Sequence, residues 1–194
     1  MKIHQFIILL ISAITLTSCG WQSIPKAKNE VEAQFAKVQS QYKRRADLIP
    51  NLVKVVKGYA EHEKETLTAV VEARAKATSV NVDPTKLDAQ SIKKFSEAQG
   101  QLTSALSRLM VVVEKYPNLK ANQNFRDLQS QLEGTENRIT VARDRYIDSI
   151  KVFNNLVTVP PTSWTNSIMY HHEKMPQFEV KNIEKLEDAP EVNL

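Results

Sequence analysis

Residues 31–59, VEAQFAKVQSQYKRRADLIPNLVKVVKGY, place apolar or aromatic side chains at Val31, Phe35, Val38, Tyr42, Ile49, Leu52, Val56 and Tyr59. The steps alternate four and three, and Arg45 fills the one polar slot in the seam. Such spacing marks one face of a long helix that packs against similar faces. Two later stretches repeat it. Ile92, Phe95, Leu102, Leu106, Leu109, Val113 and Tyr116 form a second seam, with Gln99 as its polar member. Phe125, Leu128, Leu132, Ile139, Ala142, Tyr146 and Phe153 form a third, with Thr135 in the polar slot. No segment alternates with period two for long enough to suggest a strand. The pattern predicts an all-α fold, an elongated antiparallel bundle of three long or four unequal helices.

Breakers divide the helices. Of eight prolines, Pro84 and Pro117 fall between periodic stretches, and only Pro50 interrupts one. The spacing predicts helices near 27–59, 61–78, 86–116 and 120–156, with Pro50 either kinking the first or beginning a new one. Gly58 and a phase slip between Tyr59 and Leu67 indicate a turn there. Helices of thirty-odd residues are about 45–50 Å long, and short links make sequence neighbours antiparallel.

The rest of the composition narrows the chemistry. The 194 residues are 42% hydrophobic and 25% charged, with 4 Gly and 1 Cys. A single cysteine excludes an internal disulfide and any metal site built from several thiolates. Neither G-x-x-x-x-G-K-[ST] nor G-x-G-x-x-G occurs, which removes the common phosphate-loop readings.

The N-terminus is set apart. Lys2 and His4 precede an apolar run from Phe6 to Leu16, interrupted only by Ser12 and Thr15. As a helix the run is about 16 Å long, short of the ~30 Å hydrocarbon core but the right size for a signal-peptide core. Leu16-Thr17-Ser18-Cys19 follows it directly. This apolar-small-small-Cys sequence resembles the lipobox of bacterial lipoproteins, which implies removal of residues 1–18 and acylation of Cys19. Each buried acyl methylene contributes ~0.8 kcal/mol, so several chains hold a soluble domain at a membrane. Residues 19–26 then act as a lipidated start and short linker to a bundle over 27–156. A plain signal peptide or an uncleaved anchor is the alternative. At the other end, residues 157–194 are expected to be a poorly structured tail. They include Pro160, Pro161, Pro176, Pro190, Trp164 and His171-His172, and from residue 160 onward there are 6 acidic against 3 basic residues.

Two blocks inside the bundle identify a family. Residues 41–77, QYKRRADLIPNLVKVVKGYAEHEKETLTAVVEARAKA, and residues 122–154, NQNFRDLQSQLEGTENRITVARDRYIDSIKVFN, resemble the signature blocks of the LemA family. The likeness is strongest in RRADLIPNLV, GYA-x-HEKETL and LEGTENRI-x-VAR. It implies an antiparallel helical bundle held at a bacterial membrane, with no established enzymatic activity. The chain departs from the family in carrying a lipobox where members often have an uncleaved membrane helix. It departs again at Val159-Pro160-Pro161-Thr162-Ser163-Trp164, where the family usually continues with an apolar, Gly-containing stretch.

The polar residues of the blocks are the candidate contact set: Arg44, Arg45, Asp47 and Asn51 in the first, Glu133, Glu136, Asn137 and Arg138 in the second. An arginine on a helical seam requires an acidic partner, because an unpaired buried charge is costly. Arg45 is therefore expected to pair with Glu133 or Glu136, either fixing helix register or belonging to a binding surface. An enzymatic or metal-binding alternative uses His62, Glu63 and Glu65 as metal ligands, with His171 or His172 as a further ligand. His62-Glu63-Lys64-Glu65-Thr66 lacks the second histidine of H-E-x-x-H, however, and G-x-S-x-G is absent. No catalytic residue and no cofactor are assigned. Lys37, Lys43, Arg44, Arg45, Lys54 and Lys57 stand against Asp47 alone, a basic patch of the kind that attracts phosphate. An exported chain does not meet chromosomal DNA, so nucleic acid is not expected as a partner. The sequence reads as a non-enzymatic, lipid-anchored scaffold or adaptor of the bacterial cell envelope, facing outside the cytoplasm, with an envelope protein as partner.

Overall fold

The computed structural model describes residues 21–176, and the expected signal peptide, Cys19 and the last part of the tail lie outside this range. Among the described residues the fold is all-α. The elements are α1 (Ser23–Lys57), α2 (Lys64–Ser79), α3 (Ala89–Val113), the short α4 (Pro117–Ala121), α5 (Gln123–Thr158), the single turn α6 (Thr162–Thr165) and a one-turn π-helix, Asn166–Tyr170. At 1.5 Å per residue, α1 and α5 are each about 50 Å long and α2 about half that. Among the four main helices the bundle is therefore of the unequal kind.

The core divides into two clusters that give the direction of each helix. In the first, Ile24, Val31, Phe35, Val38 and Tyr42 of α1 meet Ile92 and Phe95 of α3 and Ile139, Tyr146, Ile150, Phe153 and Val157 of α5. In the second, Ile49, Leu52 and Val56 of α1 meet Leu67, Val70 and Ala77 of α2, Leu102, Leu109 and Val113 of α3, and Phe125 and Leu132 of α5. The start of α1 thus lies by the end of α5, and the end of α1 by the start of α5. The helices alternate in direction along the chain. The first cluster forms the proximal half, where residue 21 enters, and the second the distal half.

Local chemistry sets the boundaries. Asp88 caps α3 by accepting from the Ser91 amide at 2.8 Å, and Asn122 caps α5 by accepting from the Phe125 amide at 3.0 Å. Pro117 opens α4, where its missing N–H is harmless. Gly58 ends α1, its N–H turning back to the Val55 carbonyl. Of the two tyrosines that end seams, Tyr59 is exposed at the distal tip, whereas Tyr116 packs against the distal cluster. Tyr59 Oη accepts from Asn122 Nδ2 at 2.8 Å, and Tyr116 Oη donates to Glu63 at 3.1 Å.

Of the two expectations at Pro50, a new helix does not begin there: α1 runs through it from Ser23 to Lys57. A proline inside a helix leaves the carbonyl four residues earlier without its donor. Here that carbonyl is Ala46 O, and Arg74 of α2 donates to it through Nε at 2.8 Å. The ring of Pro50 is itself exposed, so it does not crowd the core.

The predicted tail also begins differently. Residues 157–176 pack on the proximal end through paired side-chain amides. Asn154 donates to the Met175 carbonyl and accepts from the Met175 amide at 3.1 and 2.8 Å. Asn166 does the same with His172 at 2.9 and 3.0 Å. His171 turns the chain in the left-handed region at φ 53°.

Candidate functional site

The polar slots of the seams meet between the two core clusters. Arg45 is only 2% exposed. Its Nη1 donates to Thr103 Oγ1 at 2.9 Å and to Glu136 Oε2 at 3.1 Å. Its Nη2 donates to the Gln99 carbonyl at 3.2 Å and to Gln99 Oε1 at 2.8 Å. The guanidinium carbon lies 4.9 Å from the centre of the Tyr42 ring, a cation–π contact. Gln99 in turn donates from Nε2 to the Ala77 carbonyl at 3.2 Å. One layer thus links α1, α2, α3 and α5, at the level where α2 ends. Thr135, the polar member of the third seam, is buried next to Glu136 in sequence and returns its hydroxyl to the Gln131 carbonyl at 2.7 Å.

The electrostatics are those of a structural cation. Glu136 is 50% exposed, so it compensates Arg45 from the rim while neutral oxygens solvate the guanidinium from within. Burial raises the Tyr42 phenol above its ordinary value, and the positive charges of Arg143 and Arg45 work against that rise. Burial alone pushes the Tyr146 phenol well up. Both tyrosines therefore stay neutral across ordinary pH.

The remaining candidates do not converge on this layer. Glu133 is exposed and accepts from Gln129 at 2.9 Å rather than from Arg45. Arg44, Asp47, Asn51, Asn137 and Arg138 are all exposed. Asn137 and Arg138 line an open groove between α1 and α5 together with Lys37 and Arg145, and Asp47 lines another beside Lys43 and Asn81. The basic patch keeps Lys37, Lys43, Arg44, Lys54 and Lys57 at the surface but loses Arg45 to the core.

The metal-ligand alternative is not assembled. His62 and Glu65 are exposed, and Glu63 is taken by Tyr116. His172 packs at the opposite end, 5.9 Å from Phe153 and stacked 5.8 Å from Tyr170, so His62 does not meet the histidine pair. Among the described residues no group of three or more His, Cys, Asp and Glu side chains is placed to hold a metal ion. Nor is any described helix long and apolar enough to cross a membrane.

Sequence reasoning missed Arg74, which carries no seam signal. The hint was Pro50 itself, since an uninterrupted helix through a proline needs a donor for the carbonyl four residues back.

Comparison with known proteins finds relatives along most of the chain. Protein LemA of Metamycoplasma hominis is 25% identical over 164 residues, covering 84% of this chain and 70% of that protein. Magnetosome protein MamQ of Magnetospirillum gryphiswaldense is 22% identical over 191 residues, covering 87% and 70%. Magnetosome protein MamQ 2 of Paramagnetospirillum magneticum is 26% identical over 153 residues, covering 70% and 56%. The LemA family model matches residues 34–194, from within α1 through both signature blocks and beyond, and the chain belongs to the LemA family.

Proposed function

We propose that this protein is a non-enzymatic scaffold or adaptor of the bacterial cell envelope, anchored to a membrane through acylated Cys19 and presenting its helical surface to a protein partner. The observation that carries the reading is how the polar groups of the signature blocks are used. Those that bond inward, Arg45, Glu136 and Arg74, are spent on holding helices to one another, with Gln99 of α3 as a partner of Arg45. Those left over, Arg44, Asp47, Asn51, Asn137 and Arg138, sit within about 10 Å of one another along the middle of a rod about 50 Å long, but Asp47 and the pair Asn137 and Arg138 face different grooves around it. Dispersed exposed charge on a rigid support suits recognition of a surface, whereas catalysis requires groups gathered around a reacting atom. The apolar run at 6–16 followed by Cys19 supplies the anchor in this reading.

Two measurements test it. Cys19→Ser should shift the protein from the membrane to the soluble fraction, and a variant that remains membrane-bound would remove the lipid anchor from the reading. Crosslinking from Arg44, Asp47 and Arg138 in intact cells should trap a protein partner on the sides of the bundle. Stoichiometric zinc in the purified protein would overturn the non-enzymatic assignment.

A further inference from the structure

Both tryptophans of the chain lie at the proximal end, Trp21 at 61% and Trp164 at 64% exposure. Ile168, at 76%, and Met169 and Val159 share that openness on the same short segment. The segment is not loose. Tyr170 Oη donates to the Trp21 carbonyl at 2.9 Å, which ties the turn to the start of α1. Asn166 is buried and bonded to His172, and the His172 ring packs between Tyr170 and Phe153. The inward side chains fix the turn, and Trp164, Ile168 and Met169 are held outward by it. Contiguous apolar exposure on a fixed support marks an interaction surface.

We infer that this end face docks on a lipid bilayer, seating Trp21, Trp164, Ile168 and Met169 at the boundary between headgroups and acyl chains and standing the bundle on end. The inference rests on the membrane-anchored reading above. Lipid is favoured as the occupant by where the chain leads. Trp21 is two residues beyond Cys19, so at ~3.5 Å per residue an acylated Cys19 holds it within about 7 Å of the bilayer surface. An uncleaved apolar run at 6–16 would bring lipid to the same place. Tryptophan is also the residue suited to that boundary, with an apolar ring and one N–H to leave in the polar layer. An upright bundle carries Lys43 about 33 Å from Trp21, well beyond a Debye length of ~8 Å, so the basic patch is free for something other than lipid.

The test uses the full-length protein reconstituted into phosphatidylglycerol-containing vesicles whose acyl chains are brominated near the headgroup. Trp21→Phe leaves Trp164 as the sole tryptophan. The expected result is that this variant floats with the vesicles while Trp164 emission shifts to the blue and is largely quenched by the bromines. Ile168→Glu combined with Met169→Glu should still float and melt as the parent does, but lose most of that quenching. Flotation with Trp164 emission unchanged would overturn the docking and leave the anchor standing. Failure to float would overturn both. Trp164 already shielded from iodide before lipid is added would assign the face to a second copy or to residues 1–20, and would overturn the lipid assignment.

Discussion

The proximal and distal halves of the bundle solve the same packing problem with different material. In the distal half four helices surround a core rich in aliphatic side chains, with Leu67, Val70 and Ala77 of α2 completing it. In the proximal half α2 has ended, and Phe35, Tyr42, Phe95, Tyr146 and Phe153 add aromatic bulk to the aliphatic core. Phe35 stands 5.8 Å from Phe95 and 5.2 Å from Tyr146, and Tyr42 stands 5.3 Å from Phe95. The link between α2 and α3 covers what remains: Val82 is buried there, and its carbonyl accepts from Gln39 Nε2 at 2.8 Å. A missing half-helix is thus offset by larger side chains and an extended segment. The Arg45 layer lies at the joint, where α2 stops.

The largest test of that contrast is Phe35→Ala, which should cost about 3–5 kcal/mol. Hydrogen exchange should show the protection lost mainly from the proximal half, because three helices have no fourth to close the gap. Equal loss in both halves would mean that the joint does not separate them.

Next comes the joint itself. Arg45→Ala leaves Gln99 without its main partner and opens a cavity, for an expected cost of about 3 kcal/mol in denaturant unfolding. Glu136→Gln should cost under about 1 kcal/mol, because that carboxylate is half in water. Glu133→Ala should stay within about 0.5 kcal/mol of the parent, since Glu133 does not touch the layer.

The Arg74 bond allows a sharper cycle. Arg74→Met orphans the Ala46 carbonyl, and ~1–3 kcal/mol of stability should be lost. Pro50→Ala restores an amide donor to that carbonyl within α1, so in its background the same Arg74 change should cost far less. Additive melting data for the pair would show that the arginine acts in some other way. At the distal tip, Asn122→Ala removes the cap of α5 and should cost about 1 kcal/mol.

The smallest effect concerns pH and is confined to the proximal end. Burial, helped by the charge of Lys28, holds the His172 pKa below its ordinary value. The unfolded or undocked histidine therefore binds the proton more readily. Docking of residues 166–176 is at full strength above the ordinary histidine value of ~6.5 and weakens as pH falls through it. Imidazole chemical shifts and exchange rates near Met175 should follow that window, and His172→Phe should flatten the response.

The difference between the halves also governs how much was readable beforehand. The three seams were legible because each core face repeats along its own helix, and even their polar exceptions, Arg45, Gln99 and Thr135, proved to be buried. The Arg45 pairing was narrowed to two carboxylates one turn apart; three-dimensional facing, which spacing alone does not contain, selected Glu136. The features with no period were the ones missed. Arg74 works through a single main-chain oxygen, the link at 80–88 fills space that a helix would have left open, and the turn at 157–176 is secured by two asparagine amides that belong to no seam. Tyr59 kept the seam spacing but falls past the end of α1, where the period no longer says which way a side chain faces.

The reversal of direction between α1 and α5 has a practical consequence. Trp21 begins and Pro176 ends the described structure at the same end, with Met175 tied to Asn154. Labels joined beyond either point report from the base of the rod. A probe meant to sense what approaches the far tip belongs in the connection from Gly58 to Glu63, about 50 Å away. Fluorophores at the two locations would each report a height above a membrane, and the difference between the two heights falls as the rod tilts.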